Sequence, residues 1–270
     1  MLKNNFPLGI FDSGIGGLTI ADAIIKCLPH EDILYFGDTA HLPYGDKSPE
    51  LVRKYAAQIT EFLLEHNCKM LVIACNTASA FAYDFLQENY GQRIKIINVV
   101  EPLVENLEAD RSLSKIAIIG TRGTIASGVY PKKIKAVIPN VEVVCKETPL
   151  LAPMIEAGFF HDKISQEIIE AYLSDQQFKN IDAIVLACTH YPLIKKEIQV
   201  FFGEKVKVFD STDFTQKAVK NVLEKEQLLN NQKKKGQHRF FLSDNTASFR
   251  ATAKILFGSE IESEFYALSK

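Results

Sequence analysis

Two cysteines, Cys75 and Cys188, stand in matching surroundings 113 positions apart (75 to 188). Each closes an apolar run, Leu71-Val72-Ile73-Ala74 before one and Ile184-Val185-Leu186-Ala187 before the other. Each is followed by two hydrogen-bonding residues, Asn76-Thr77 and Thr189-His190. A free thiol ionises near pH 8.5, so one tuned by its neighbours serves as a base when ionised and as an acid when protonated. Two such groups on opposite sides of one carbon suit stereoinversion of a carbon acid: one removes the proton and the other supplies one to the opposite face. A redox disulfide is the other use of facing thiols, and no Cys-x-x-Cys spacing supports it.

Further chemistry gathers around short motifs. Asp12 and Ser13 precede Gly14, Gly16 and Gly17. They can bind an ammonium group or steer a cysteine proton, or simply cap a helix; the glycines let a ligand approach the backbone. The turn lacks the full dinucleotide-binding spacing. Gly14 has a later counterpart in Gly123, 109 positions on (14 to 123), within Gly120-Thr121-Arg122-Gly123. Asn76, Thr77, Thr189 and His190 offer donors for a carboxylate. His190 can orient Cys188 or share its proton, or it can be a satisfied histidine at a helix start. Pro43-Tyr44-Gly45 is a turn signature in which Tyr44 supplies a hydroxyl or only packing. Glu156, in the mixed segment from Pro153 to Gly158, reads on its own as a surface acid. Cys27, Cys68 and Cys145 read as small buried hydrophobes.

These residues must be positioned by an alternation of short apolar runs and helical patterns. Strands are predicted at Leu8–Phe11, Ile33–Phe36, Met70–Ala74, Ile94–Val100, Ile116–Ile119, Val141–Val144, Ala183–Ala187, Val206–Phe209 and Gln237–Leu242. Helices are predicted from Thr19 to Leu28, Val52 to Glu65 and Ala247 to Phe257. Such alternation specifies an α/β fold with parallel sheets. Ligands of such sheets bind beyond the carboxyl ends of the strands, which is where both cysteines fall. Helix N-termini just after them favour thiolate and offer N–H groups to an anion. The repeated cysteine and glycine features predict a duplicated half, and packing about a pseudo-twofold axis would set the thiols face to face.

Composition narrows the classes. With 270 residues and 47% hydrophobic content, the chain can bury one large core or two modest ones. A formal net charge of -2 gives no electrostatic footprint for nucleic acid. The basic run Lys233-Lys234-Lys235, with Arg239 beyond it, reads as a solvated loop among Asn230, Asn231, Gln232 and Gly236. No apolar stretch approaches a bilayer span, and the first five residues lack the order of a signal peptide. Five cysteines without paired spacing support neither a disulfide framework nor a thiolate metal site, and fit a reducing cytoplasm.

The motifs Phe11-Asp12-Ser13-Gly14-Ile15-Gly16-Gly17-Leu18, Pro43-Tyr44-Gly45, Ala74-Cys75-Asn76-Thr77 and Ala187-Cys188-Thr189-His190-Tyr191-Pro192 together resemble the glutamate racemase family, nearly end to end. The resemblance implies a cofactor-independent enzyme that supplies D-glutamate for peptidoglycan. It implies that Cys75 takes the α-proton of one enantiomer and Cys188 that of the other, with Asp12 and His190 assisting the nearer cysteine and Glu156 supporting the second side. Asp12, Ser13, Tyr44, Gly45, Asn76, Thr77, Thr189 and His190 would hold the substrate, and Thr121 would touch it. It further implies two α/β domains with the site between them: residues 1–98 with 210–270, and residues 99–209. No motif covers the segment after about Lys225.

An aspartate-type racemase and a cysteine-dependent amide hydrolase share parts of this pattern, and a solute-binding module would use the same cleft without turnover. A pyridoxal enzyme is disfavoured, since no lysine stands in a Schiff-base motif. A homodimer is expected from the habits of small α/β enzymes.

Overall fold

The computed structural model describes residues 3–110, 112–244, 247–258 and 260–268. The chain opens with β1 (Leu8–Asp12), α1 (Leu18–Cys27), β2 (Ile33–Gly37), α2 (Pro49–Glu65), β3 (Met70–Ile73), α3 (Asn76–Tyr90) and β4 (Lys95–Asn98). It continues through α4 (Glu101–Glu108), β5 (Lys115–Gly120), α5 (Arg122–Ala126), α6 (Val129–Val137), β6 (Glu142–Glu147), α7 (Leu151–Glu156) and α8 (Lys163–Leu173). Then come β7 (Ala183–Ala187), α9 (Lys195–Phe202), β8 (Lys207–Asp210), α10 (Thr212–Lys225), β9 (His238–Leu242), α11 (Ala247–Phe257) and β10 (Ser263–Phe265).

The strands form two sheets, one of six in the order β10-β9-β2-β1-β3-β4 and one of four in the order β6-β5-β7-β8. Every pairing is parallel. Strands β1, β2, β3 and β7 are buried at every residue, as parallel strands must be when helices cover both faces. Alternate residues feed different cores. Ile10 and Val72 pack with α1 and α10, whereas Phe11 and Ile73 pack with α2 and α3. In the second sheet Ile119 and Leu186 face α7 to α9, and Ile118 and Val185 face α4 and α6.

The fold is therefore α/β with two similar parallel sheets, and four strands of each follow one order: β2-β1-β3-β4 against β6-β5-β7-β8. The register refines the expected repeat. Phe11 lies opposite Ile73 and Gly120 opposite Ala187, so continuing each ladder sets Ser13 beside Cys75 and Thr121 beside Cys188. The counterpart of Gly14 is then Arg122 rather than Gly123.

Several predicted boundaries shift for local reasons. α2 starts at Pro49, not Val52, because Ser48 accepts a hydrogen bond from the Leu51 N–H and caps a polar first turn. β4 ends at Asn98, not Val100, because the Asn98 side chain accepts from Val100 N–H (2.8 Å) and Glu101 N–H (2.9 Å) and starts α4. Cys188 does not open directly onto a helix: a 3-10 turn, Tyr191–Ile194, intervenes before α9. β10 was not expected; its residues are largely exposed, and the Arg239–Glu264 pair holds it to β9.

Lys233–Lys235 is exposed as expected, yet its flanks are pinned. Asn230 is buried and its N–H donates to Glu31 Oε1 (2.7 Å), while Gly236 N–H donates to the Pro29 carbonyl (2.9 Å). A methyl on Gly236 would meet the Glu31 carbonyl oxygen at 2.0 Å. Glu31 also pairs with Lys69 at 2.5 Å in a buried contact, and Lys69 donates to the carbonyls of Asn4 and Leu228. This cluster lies at the amino ends of β1 to β3.

Candidate active site

Beyond the carboxyl ends of both sheets lies a cavity of about 240 Å³. Ser13, Tyr44, Gly45, Asn76, Thr77, Thr121, Glu156, Thr189, His190 and both cysteines line it. Of the expected site residues, Asp12 alone is set behind the wall, fully buried.

Cys75 ends the β3 connection and caps α3: the Ala78 N–H donates to its sulfur (3.4 Å), and the thiol donates to Ser13 Oγ (3.6 Å). Burial pushes this thiol up to about 12, and the Asp12 charge adds to the effect; the Ala78 and Ser13 contacts pull the other way. These surroundings favour the protonated form of Cys75 at neutral pH.

Cys188 has different company. Its sulfur lies 3.6 Å from His190 Nδ1, and His190 Nε2 lies 2.9 Å from Glu156 Oε1. Burial alone would lower the histidine, but the hydrogen bonds and charges of Cys188 and Glu156 outweigh it and hold the imidazole well above its ordinary range. Glu156 is thus part of the wall with its side chain 22% exposed, and not the surface acid that its sequence context suggests. Carboxylate, imidazole and thiol form a chain along which a proton can move.

Asp12 bridges the halves. Its carboxylate accepts from the Gly14 N–H (3.0 Å) and from Thr189 Oγ1 (3.3 Å). Burial raises its pKa, and His190 and these donors offset part of that rise. Towards Cys75 it acts through its charge, while Ser13 makes the hydrogen bond. The turns also interlock: Thr19 Oγ1 donates to the Thr189 carbonyl (3.1 Å).

Donors for a carboxylate also line the cavity. Tyr130 donates to Asn76 Oδ1 (2.6 Å), which fixes the amide and leaves buried Nδ2 with no partner among the described residues. A buried donor in that state is open to a ligand acceptor or an ordered water. The hydroxyls of Thr77, Thr121 and Thr124 form a triangle of 3.0, 3.1 and 3.0 Å joining the two sheets. A methyl on Gly45 would lie 2.5 Å from Thr121 Cβ, so only glycine admits this approach.

The Tyr44 hydroxyl is not free for a ligand, since it donates to Asp38 Oδ2 (2.6 Å). Asp38 also accepts from Ser243 Oγ (2.6 Å) and lies 2.8 Å from His41 Nδ1. Asp38, Ser243, Tyr130 and Thr124 belong to no motif that the sequence marks out. The segment after Lys225 thereby supports the site through Ser243. Among the described residues, no group of three or more His, Cys, Asp or Glu side chains is placed to hold a metal.

Comparison with known proteins follows the same lines. The Asp/Glu/Hydantoin racemase family model matches residues 18–219. The glutamate racemase of Geobacter metallireducens is 42% identical over 254 residues, covering 94% of this chain and 93% of that protein. The crystal structure of Francisella tularensis glutamate racemase in complex with D-glutamate matches with a TM-score of 0.91 at 38% identity, covering 98% of each chain. Thermus thermophilus glutamate racemase, in complex with β-chloro-D-alanine, matches with a TM-score of 0.87 at 36% identity, again over 98% of each chain.

Proposed function

The chain belongs to the Asp/Glu/Hydantoin racemase family, and on that footing we propose that it interconverts L- and D-glutamate by two-base proton transfer between Cys75 and Cys188, supplying D-glutamate for peptidoglycan. The observation that carries the reading is that two thiols from matching strand ends line one cavity, each with its own proton partner.

In one direction Cys75, as thiolate, removes the α-proton while the Cys188 thiol delivers its own to the opposite face. The other enantiomer reverses the roles. On the second side, His190 stabilises thiolate at Cys188 and Glu156 holds the imidazolium; on the first, Asp12 and Ser13 steer the Cys75 proton. Asn76 Nδ2, Thr77, Thr121, Thr189 and the turn at Ser13 grip the carboxylates and ammonium, and Tyr44-Gly45 shapes the wall. An amino-acid α-proton is a very weak acid, so fixed donors at the carboxylate must stabilise the developing negative charge. Two thiols account for the acid–base work without a cofactor.

We assign residues 1–98 with 210–270 to one domain and 99–209 to the other, since, Asp210 at the end of β8 apart, the two sheets draw their strands from those stretches. We also expect a homodimer in the cytoplasm, where the five unpaired thiols stay reduced. No helix among the described residues is long and apolar enough to cross a membrane. The aspartate-type and amide-hydrolase readings are less favoured, because the full-length relatives are glutamate racemases.

The test is L-glutamate in heavy water without pyridoxal phosphate, followed by optical rotation and α-deuterium together. Loss of rotation with deuterium uptake, abolished in Cys75→Ser and in Cys188→Ser, is the expected result. An inactive native chain rejects the reading.

A further inference from the structure

We propose that Glu197, acting through His161, is a positioning residue for Glu156 and hence for the Cys188 side of the site; the inference rests on the racemase reading above. Glu156 is the last residue of α7, a six-residue helix with no side-chain cap at its start. The chain leaves it through Gly158 (φ 85°) and His161 (φ 62°) before Asp162 caps α8. A histidine in the left-handed region is held there only if its surroundings fix it.

Glu197, on α9, does so. Its Oε1 accepts the His161 N–H (2.8 Å) and lies 2.9 Å from His161 Nδ1. The Glu197 side chain is 11% exposed, and its Oε2 is buried with no hydrogen-bond partner among the described residues. A carboxylate so placed is unfavourable unless its contacts hold it.

The tether matters because of what lies on the two strands of chain it joins. Residues 156–161 and 188–197 are linked twice, by Glu156–His190 at the cavity and by His161–Glu197 behind it. The second segment is fixed in the core through Cys188, Tyr191 and Ile194, and Ile198, just after it, anchors α9. With the rear link made, the end of α7 cannot retreat from His190; without it, the Glu156 carboxylate is free to slide off Nε2. A hydrogen bond of 2.9 Å tolerates little of that.

The experiment measures kcat, KM and thermal midpoint for racemisation by the native chain, Glu197→Ala and Glu197→Gln, each with and without Glu156→Gln. Glu197→Ala should lower kcat about 10-fold, as misplacement near 1 Å costs up to about 100-fold, with KM within about twofold. Glu197→Gln, which keeps an acceptor for the His161 N–H, should recover most of the loss. In the Glu156→Gln background, Glu197→Ala should lower kcat no further. If Glu197→Ala does not fold, His161→Gly keeps the left-handed backbone and carries the same background-dependent expectation, at about threefold. Native kcat in Glu197→Ala, or in His161→Gly should Glu197→Ala not fold, or an equal loss in both backgrounds, overturns the assignment. A native chain that does not racemise glutamate rejects the underlying reading, and so is distinguishable from either result.

Discussion

Gly16 and Thr189 are packed so closely that a methyl group on Gly16 would lie 2.4 Å from Thr189 Oγ1. The same methyl would lie 2.6 Å from His190 Nδ1, so the glycine-rich turn of one sheet is seated on the cysteine turn of the other. Gly16→Ala must push the Cys188 turn away. Activity should fall by about 100-fold, and stability by about 1–3 kcal/mol for overpacking. Racemisation assays beside urea melts check both; an active, native-like Gly16→Ala protein would show that the seat is not needed.

The Cys75 thiol, pushed up to about 12 by its burial, should react slowly with iodoacetamide in the empty enzyme at neutral pH. Only the thiolate alkylates, so its rate should climb about tenfold per pH unit between about pH 7 and about pH 9. Peptide mass spectrometry at Cys75 reads this directly. A rate that is level across that interval would mean the thiol is already ionised.

His190 couples the site to stability. Its folded-state pKa is raised above its ordinary 6.5 by Cys188 and Glu156, against the opposing effect of burial. Stability from the charged ring is therefore complete below the unfolded value and is lost as pH rises through the folded one. The gap in unfolding free energy between native protein and His190→Asn should narrow as pH rises above the ordinary histidine value of 6.5 in urea melts. A gap that widens with pH would reverse the sign of the coupling.

Lys69 and Glu31, buried together at the amino ends of the first sheet, should matter for stability and not for turnover. Lys69→Met leaves a buried carboxylate unpaired and should cost about 3–5 kcal/mol, whereas Lys69→Met with Glu31→Leu should restore much of it. Well below the melting point, kcat should be native in both. A changed kcat in the folded double variant would connect this cluster to the site.

The strands and the cysteine turns were readable because a buried parallel strand is a nearly unbroken apolar run, and both runs end in Ala-Cys. A further repeat was invisible. Asn98 and Asp210 end β4 and β8, and each side chain accepts a hydrogen bond from the start of the next helix. Because one is an amide and the other a carboxylate, matching residue types could not pair them. Glu156 shows the other limit: its neighbours mark it as a surface acid, and only the His190 ring, 34 positions away, gives it a role. Asp38 and Ser243 meet across 205 positions through the β2–β9 pairing, which no local pattern encodes.

That pairing also sets the order in which the protein can be made. β2 is complete by Gly37, yet its outer edge waits for His238–Leu242, which begin 201 positions later (37 to 238). Until then the nascent first sheet carries an open strand of Ile33, Leu34, Tyr35 and Phe36, apolar and unpaired on one side. The second sheet, with strands from Lys115 to Asp210, can be finished first. Chains interrupted between these points would hold both Cys75 and Cys188 and still lack the clasp on Asp38, and their exposed edge would invite aggregation.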